Sequence, residues 1–272
     1  MNIYGIDFSS RPRRGKPITC LACILEDNSL RAGKLHEWRS FDGFEAQLRR
    51  PGPWIAGIDF PFGQARRFIE NIGWPRTWRG YVEHLSSLDR QTFRKALDHY
   101  RTHRPAGDKE HRRVCDQAAG AISPQKLYGT PVGLMFFEGA PRLREAGVTI
   151  PGLHRGDPER IVVEAYPGKL ARSLIGRRSY KQDQKQKQTK EQYANRIEML
   201  KKIIDGATLA EYGIQVETSL SLAEDPTGDQ LDALLCAIQA AWAWRERNNH
   251  FGIPDNVDSL EGWILDPSLQ RF

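Results

Sequence analysis

Short apolar runs, each closed by a turn signal, fill the first 60 residues. "NIYGIDF" (2–8) reads as a β-strand, and "ITCLACILE" (18–26) as a second, longer one. "KLHEWRSF" (34–41) alternates less cleanly and fits a third strand antiparallel to the second. "FDGFEAQL" (41–48) changes to helical spacing, with Phe44 and Leu48 one turn apart and Asp42 placed to cap it. After Pro51-Gly52-Pro53 the chain returns as a strand in "WIAGIDF". The predicted order is β-β-β-α-β, and an Asp closes both the first and the fourth strand.

Residues 60–158 are mostly polar with helical period, broken at Pro105-Ala106-Gly107. This length exceeds an ordinary connection, so it predicts a mainly helical insertion over the sheet edge. "RIVVEAYPG" (160–168) is another apolar strand, carrying Glu164 before a Pro-Gly stop. A basic, Gln-rich stretch from residue 180 runs into an amphipathic helix with Ile197, Leu200, Ile203 and Ile204 on one side. "YGIQVE" (212–217) fits a short strand or a loop. "DPTGDQLDALLCAIQAAWAWRER" (225–247) is the clearest helix, with Asp225 as N-cap and Pro226 at N1. The whole reads as one domain over 1–272, an α/β mixed sheet flanked by helices.

The formal net charge of +6 tilts the expected partner toward a polyanion, nucleic acid first. No run is long and apolar enough for a membrane span, and the N-terminus begins directly in a strand pattern without a secretory signal. The four cysteines form no disulfide framework, which points to a reducing, cytoplasmic home.

A carboxylate at the end of a buried strand is costly unless something pairs with it. Parallel first and fourth strands would set Asp7 and Asp59 side by side. A last helix crossing the sheet would bring Asp232, and with it Asp229 three residues earlier, to the same point. The helix dipole accounts for acids in a first turn by only about 0.3–1 kcal/mol. Clustered carboxylates repel unless a cation lies between them, and oxygen-only ligands suit Mg²⁺ or Mn²⁺. Two such ions clamp the attacking and leaving oxygens of phosphodiester hydrolysis. The geometry therefore gathers Asp7, Asp59 and Asp232, with Asp229 beside them, as a candidate site for two ions.

The β-β-β-α-β order with acids on strands one and four and on a late helix resembles the RNase H-like fold. "GIDFSS", "GIDFPFG", "RRVCDQ", "TPVGLMFFEG", "VVEAYPG" and "GDQLDALLCA" together resemble the predicted RNase H-fold nucleases of domain-of-unknown-function family 429, over roughly 1–60 and 110–245. The resemblance implies a metal-dependent nuclease, with Asp7, Asp59 and Asp232 at the acidic positions and Glu164 and Asp229 next. "DQLDALLCA" is also similar to the last helix of resolvases of this fold, where the Asp before Ala-Leu is a metal ligand. The chain departs from the ribonuclease pattern in its first helix, where Glu45 is the available acid and Glu164 an alternative from another strand.

Arg112 and Arg113, beside Asp116, suit either bidentate binding of the scissile phosphate or ordinary ion pairs on a surface helix. Lys169, Arg172, Arg177, Arg178, Lys181, Lys185, Lys187 and Lys190 face only Asp183 and Glu191. With Tyr180 and Tyr193 they suit a phosphate-tracking segment or a solvated charge run. Trp74, Arg76, Trp78, Arg79 and Tyr81 suit base stacking or the anchoring of a subdomain. "YGTPVG" (128–133) suits an anion-binding loop or a plain turn. Cys20 and Cys23 have metal-like spacing, but on a strand they point to opposite faces. His99 and His103 lack the Glu of a zincin helix, and serine-hydrolase and Walker A motifs are absent. Two other classes stay open: a non-catalytic nucleic-acid-binding module, and an actin- or sugar-kinase-like phosphotransferase. The latter wants a Gly-rich loop after the first strand, where this chain has "SSRPRRG".

Overall fold

The computed structural model describes residues 1–270, the side chain of Lys185 excepted. The alternating runs of the first 60 residues form β1 (Asn2–Asp7), β2 (Ile18–Glu26), β3 (Ser29–Trp38), α1 (Phe41–Arg49) and β4 (Trp54–Ile58). β3 starts earlier than its alternation suggests. Asp27 takes a left-handed φ of 52° and makes Asp27-Asn28 a two-residue hairpin loop, so pairing resumes at once. Ser40 rather than Asp42 occupies the N-cap of α1, and its hydroxyl donates to Asp42 at 2.9 Å.

The insertion contains α2 (Arg66–Ile72), α3 (Trp78–Ser86), α4 (Arg90–Thr102), α5 (Val114–Ala119) and α6 (Val132–Ala146). It rejoins the sheet through β5 (Val148–Thr149) and β6 (Asp157–Glu164). Trp74, Trp78 and Tyr81 are buried. The Trp78 indole donates to the Phe62 carbonyl and the Tyr81 hydroxyl to that of Leu260, each at 2.7 Å. The aromatic cluster therefore anchors the insertion, and the stacking surface it suggested in sequence does not form.

The remaining elements are α7 (Pro167–Ile175), α8 (Lys190–Ile204), α9 (Ala207–Tyr212), β7 (Gln215–Glu217) and α10 (Asp229–Arg245). Pro167 both ends the β6 run and opens α7 at its first turn, where a missing N–H costs nothing. Thr189 and Gln192 form a capping box on α8. His99 and His103 lie exposed at the end of α4.

Among the described residues the sheet has seven strands in the order β5-β6-β4-β1-β2-β3-β7. β1, β4 and β6 run parallel, and β2 is antiparallel to both neighbours. One face packs on α10, α7, α8 and the insertion helix α5, the other on α1 and the insertion helices α2, α3, α4 and α6. Cys20 and Cys23 fall in the two different cores, as period-2 geometry requires. Among the described residues no helix is long and apolar enough to cross a membrane.

α10 is buried along nearly its whole length. It begins at Asp229 behind Gly228 (φ 76°), four residues after the expected cap. Asp225 instead accepts from the backbone N–H of Thr227 and Gln230 at 3.0 and 3.1 Å, closing the turn before the helix. Its contact with the sheet depends on two glycines. A Cβ on Gly5 would lie 1.8 Å from the Ala233 carbonyl oxygen, and one on Gly57 2.3 Å from that of Cys236. Gly5 and Gly57 are register partners. Each stands two residues before an aspartate of the repeated Gly-Ile-Asp-Phe, and together they bring the helix onto the strands that carry Asp7 and Asp59.

Candidate functional site

The parallel ladder sets the first two carboxylates. Ile6 and Ile58 are register partners, and the Asp59 N–H donates to the Ile6 carbonyl at 3.0 Å. The next residue in each strand therefore lies side by side at the carboxyl edge of the sheet, on the α10 face. α10 adds Asp229 and Asp232 from its first turn, both buried. The structure thus brings together Asp7, Asp59, Asp229 and Asp232.

Two lysines enter the same cluster from loops. Lys16, between β1 and β2, donates to Asp229 at 2.8 Å and to the exposed Asp183 at 3.1 Å. Lys181, between α7 and α8, pairs with the fully buried Asp232, whose other oxygen accepts from the Tyr180 hydroxyl at 2.6 Å. Among the described residues no side-chain or backbone donor is hydrogen-bonded to the carboxylates of Asp7 and Asp59.

The electrostatics follow from this arrangement. Burial, and then the charges of Asp229 and Asp232, push the Asp7 carboxyl well above the usual range, against the pull of Lys181 and Lys16. Burial also raises Asp59, from an ordinary 3.8 to about 7. Asp229 is raised by burial despite its bond to Lys16. Burial is the largest single influence on both lysines and would lower them, but the acidic groups together outweigh it: Asp232, Tyr180, Asp7 and Asp59 at Lys181, and Asp7, Asp229 and Asp183 at Lys16. With all four carboxylates ionised the cluster would carry more negative charge than its two ammonium groups balance, and the raised Asp7 and Asp59 are the groups that resist that charge. Among the described residues, no three acidic, His or Cys side chains close on one point as the ligands of a single ion would.

Glu164 departs from expectation. Along β6, Ile161 and Val163 face α10 while Val162 and Glu164 face the other core, opposite to Asp7 and Asp59. Its carboxylate is held in the fork of Arg113 and accepts from the Phe62 N–H at 2.8 Å. Burial raises its pKa and Arg113 opposes the rise. Glu164 therefore anchors the β6 edge to the insertion, on the face of the sheet away from the four aspartates, though it borders the same recess as Asp59.

Arg113 is corrected for the same reason. It is 1% exposed, and its guanidinium bonds Asp116, Glu164 and the Glu261 carbonyl, leaving no N–H for a phosphate. Asp116 is buried in this pair and caps α5. Of the other predicted phosphate ligands, Arg112 and Lys187 are exposed, Lys181 is drawn into the carboxylate site, and the Lys185 side chain lies outside the described residues. Glu45 pairs with Arg49 and Arg142 on the opposite side of the sheet at 2.9 and 3.0 Å.

Lys16 is the residue that sequence reasoning passed over. Its signal was the basic turn "SSRPRRGK" directly after Asp7, visible only as a departure from a Gly-rich loop. Comparisons with curated proteins and with solved structures returned no match. A family model described as "Protein of unknown function (DUF429)" matches residues 5–257, spanning Gly5, all four clustered aspartates and both lysines, and the chain belongs to that family.

Proposed function

We propose that the protein is a metal-dependent nuclease of RNase H-like fold that hydrolyses phosphodiester bonds. The observation that carries this reading is the convergence of Asp7, Asp59, Asp229 and Asp232 at one sheet edge, with Asp7 and Asp59 free of protein donors and raised in pKa. The β-β-β-α-β order, with Asp closing β1 and following β4, supports the fold reading.

The donor set fits Mg²⁺ or Mn²⁺, being all carboxylate oxygen, and a bound cation would let the raised Asp7 and Asp59 ionise. Asp7 and Asp59, which accept from no protein donor among the described residues, would hold the ions, and Asp232 and Asp229 would complete the set as Lys181 and Lys16 give way. Bound there, such ions supply an ionised water as nucleophile and stabilise the leaving oxygen. Lys16 and Lys181 hold the carboxylates together when no ion is present, and Tyr180 fixes the orientation of Asp232. The basic net charge favours a polyanionic substrate. Four buried, unpaired cysteines accord with a cytoplasmic setting.

The test is a thermal melt with Mn²⁺. An ion that binds only the folded state raises the midpoint as its concentration passes its Kd. Mn²⁺ is expected to raise the wild-type midpoint and to leave Asp7→Asn unchanged. Equal shifts in both proteins would remove Asp7 from the metal site.

A further inference from the structure

Beside Asp59 lies a recess of about 400 Å³ between the β4 and β6 ends and the insertion. Its size is within the range of about 300–1,000 Å³ typical of small-ligand sites. Resting on the nuclease reading, we propose that this recess receives one unpaired nucleobase of the substrate, and that the enzyme therefore acts on single-stranded or locally unpaired nucleic acid.

Three features carry the assignment. The first is the wall. Phe60, Ile122, Val132, Met135 and Tyr166 line the recess. Ile122 is 41% exposed and so stands at the open side of the recess. The Tyr166 ring packs over Gly168, where a Cβ would come within 3.2 Å of it. The second is how that ring is held. Arg172 donates to the carbonyls of Gly168, Ala119 and Gly120 at 2.9, 2.7 and 3.3 Å, tying α7 to the end of α5. Its guanidinium lies 5.3 Å over the Tyr166 ring. A half-buried aromatic ring fixed in this way is a stacking platform that any base can use.

The third feature is charge and position. Asp59 and Lys181 belong to both the recess and the carboxylate cluster, so a ligand in the recess extends directly from the reacting phosphate. Arg172 and Lys181 line the rim as cations. Arg113, Asp116 and Glu164 also border it, but they are bound to one another and offer it no free charge. Apolar walls, one aromatic platform and cations at the rim suit a planar base with its phosphate outside. A recess of this size takes a single nucleotide, so a base in a duplex must leave its stack to enter.

The experiment uses 2-aminopurine, whose fluorescence changes on stacking, placed in a single strand and in the matching duplex. Both are titrated with the full-length protein in EDTA. The single strand should bind about tenfold tighter than the duplex, with a change in probe fluorescence on binding. Tyr166→Ala should abolish both effects. Ile122→Trp, a change at an exposed position that leaves the core intact, should abolish them by filling the mouth. Equal binding of strand and duplex, or a preference that survives Ile122→Trp, would overturn the proposal. Metal-dependent cleavage, assayed separately, distinguishes the two readings. Cleavage without strand preference leaves the nuclease and removes the base pocket. Base capture without cleavage does the reverse.

Discussion

At Asp59 the cost of the site is concentrated in one carboxyl group. Its pKa rises from 3.8 to about 7, chiefly because burial disfavours the charged form. Between those values the folded chain keeps a proton that the unfolded chain has released. Stability from this residue therefore falls as pH rises from about 4 to about 7, and the loss is complete above that. In chelator, Asp59→Asn removes the charge and should be more stable than wild type at pH 8 by about 1–2 kcal/mol, with the gap closing toward pH 4. Urea denaturation at several pH values measures this, and a pH-independent gap would contradict it. Arg113 is the opposite case. Its buried charge is matched by Asp116 and Glu164, so these groups stabilise one another's burial. In sequence the two kinds of acid look alike. Asp7 and Glu164 both end an apolar strand before a turn, and only the one-residue difference in register places them on opposite faces.

At the scale of elements, α10 builds the site by its approach to β1 and β4. Gly5→Ala would set a methyl group against the Ala233 backbone, which cannot yield as a flexible side chain would. Overpacking of this kind costs about 1–3 kcal/mol, and here more, because backbone is the obstacle. The helix would lift and take Asp229 and Asp232 with it. Gly5→Ala should therefore lower both the melting temperature and the Mn²⁺ response. A folded Gly5→Ala protein with wild-type Mn²⁺ response would show that helix approach does not set the site. The aspartates, the strand order and the buried last helix were all legible from alternation and spacing. The role of the glycines was not, because close approach is a property of two elements and each strand alone shows only a small residue. The start of α10 was misplaced for a related reason: Asp225 and Pro226 carry a good cap signal, but the turn they cap precedes the helix.

Across the whole molecule, a sheet covered on both faces presents one carboxyl edge. The aspartate cluster sits at that edge on the α10 face, and the recess opens beside it under the insertion. The insertion's polar helices gave its secondary structure in sequence but not its use. Its contribution comes from single side chains, such as Ile122 and Val132, that reach the recess from loop and helix ends. The lysine positions were hidden for the same reason. Lys16 and Lys181 lie 165 residues apart in the chain and meet only because the fold brings two loops to one edge.

Cleavage itself tests the central claim most directly. Purified protein is incubated with labelled single-stranded DNA, duplex DNA, RNA, RNA–DNA hybrid and a branched junction, in Mn²⁺, Mg²⁺ or EDTA, beside an Asp7→Asn preparation. The account predicts products with metal, none in EDTA and none from Asp7→Asn, whose melt in EDTA is unchanged or higher because a repelling charge is gone. Products that persist in Asp7→Asn, or no products on any substrate alongside salt-sensitive binding, would contradict it; the second result would make the protein a binding module built on the same fold.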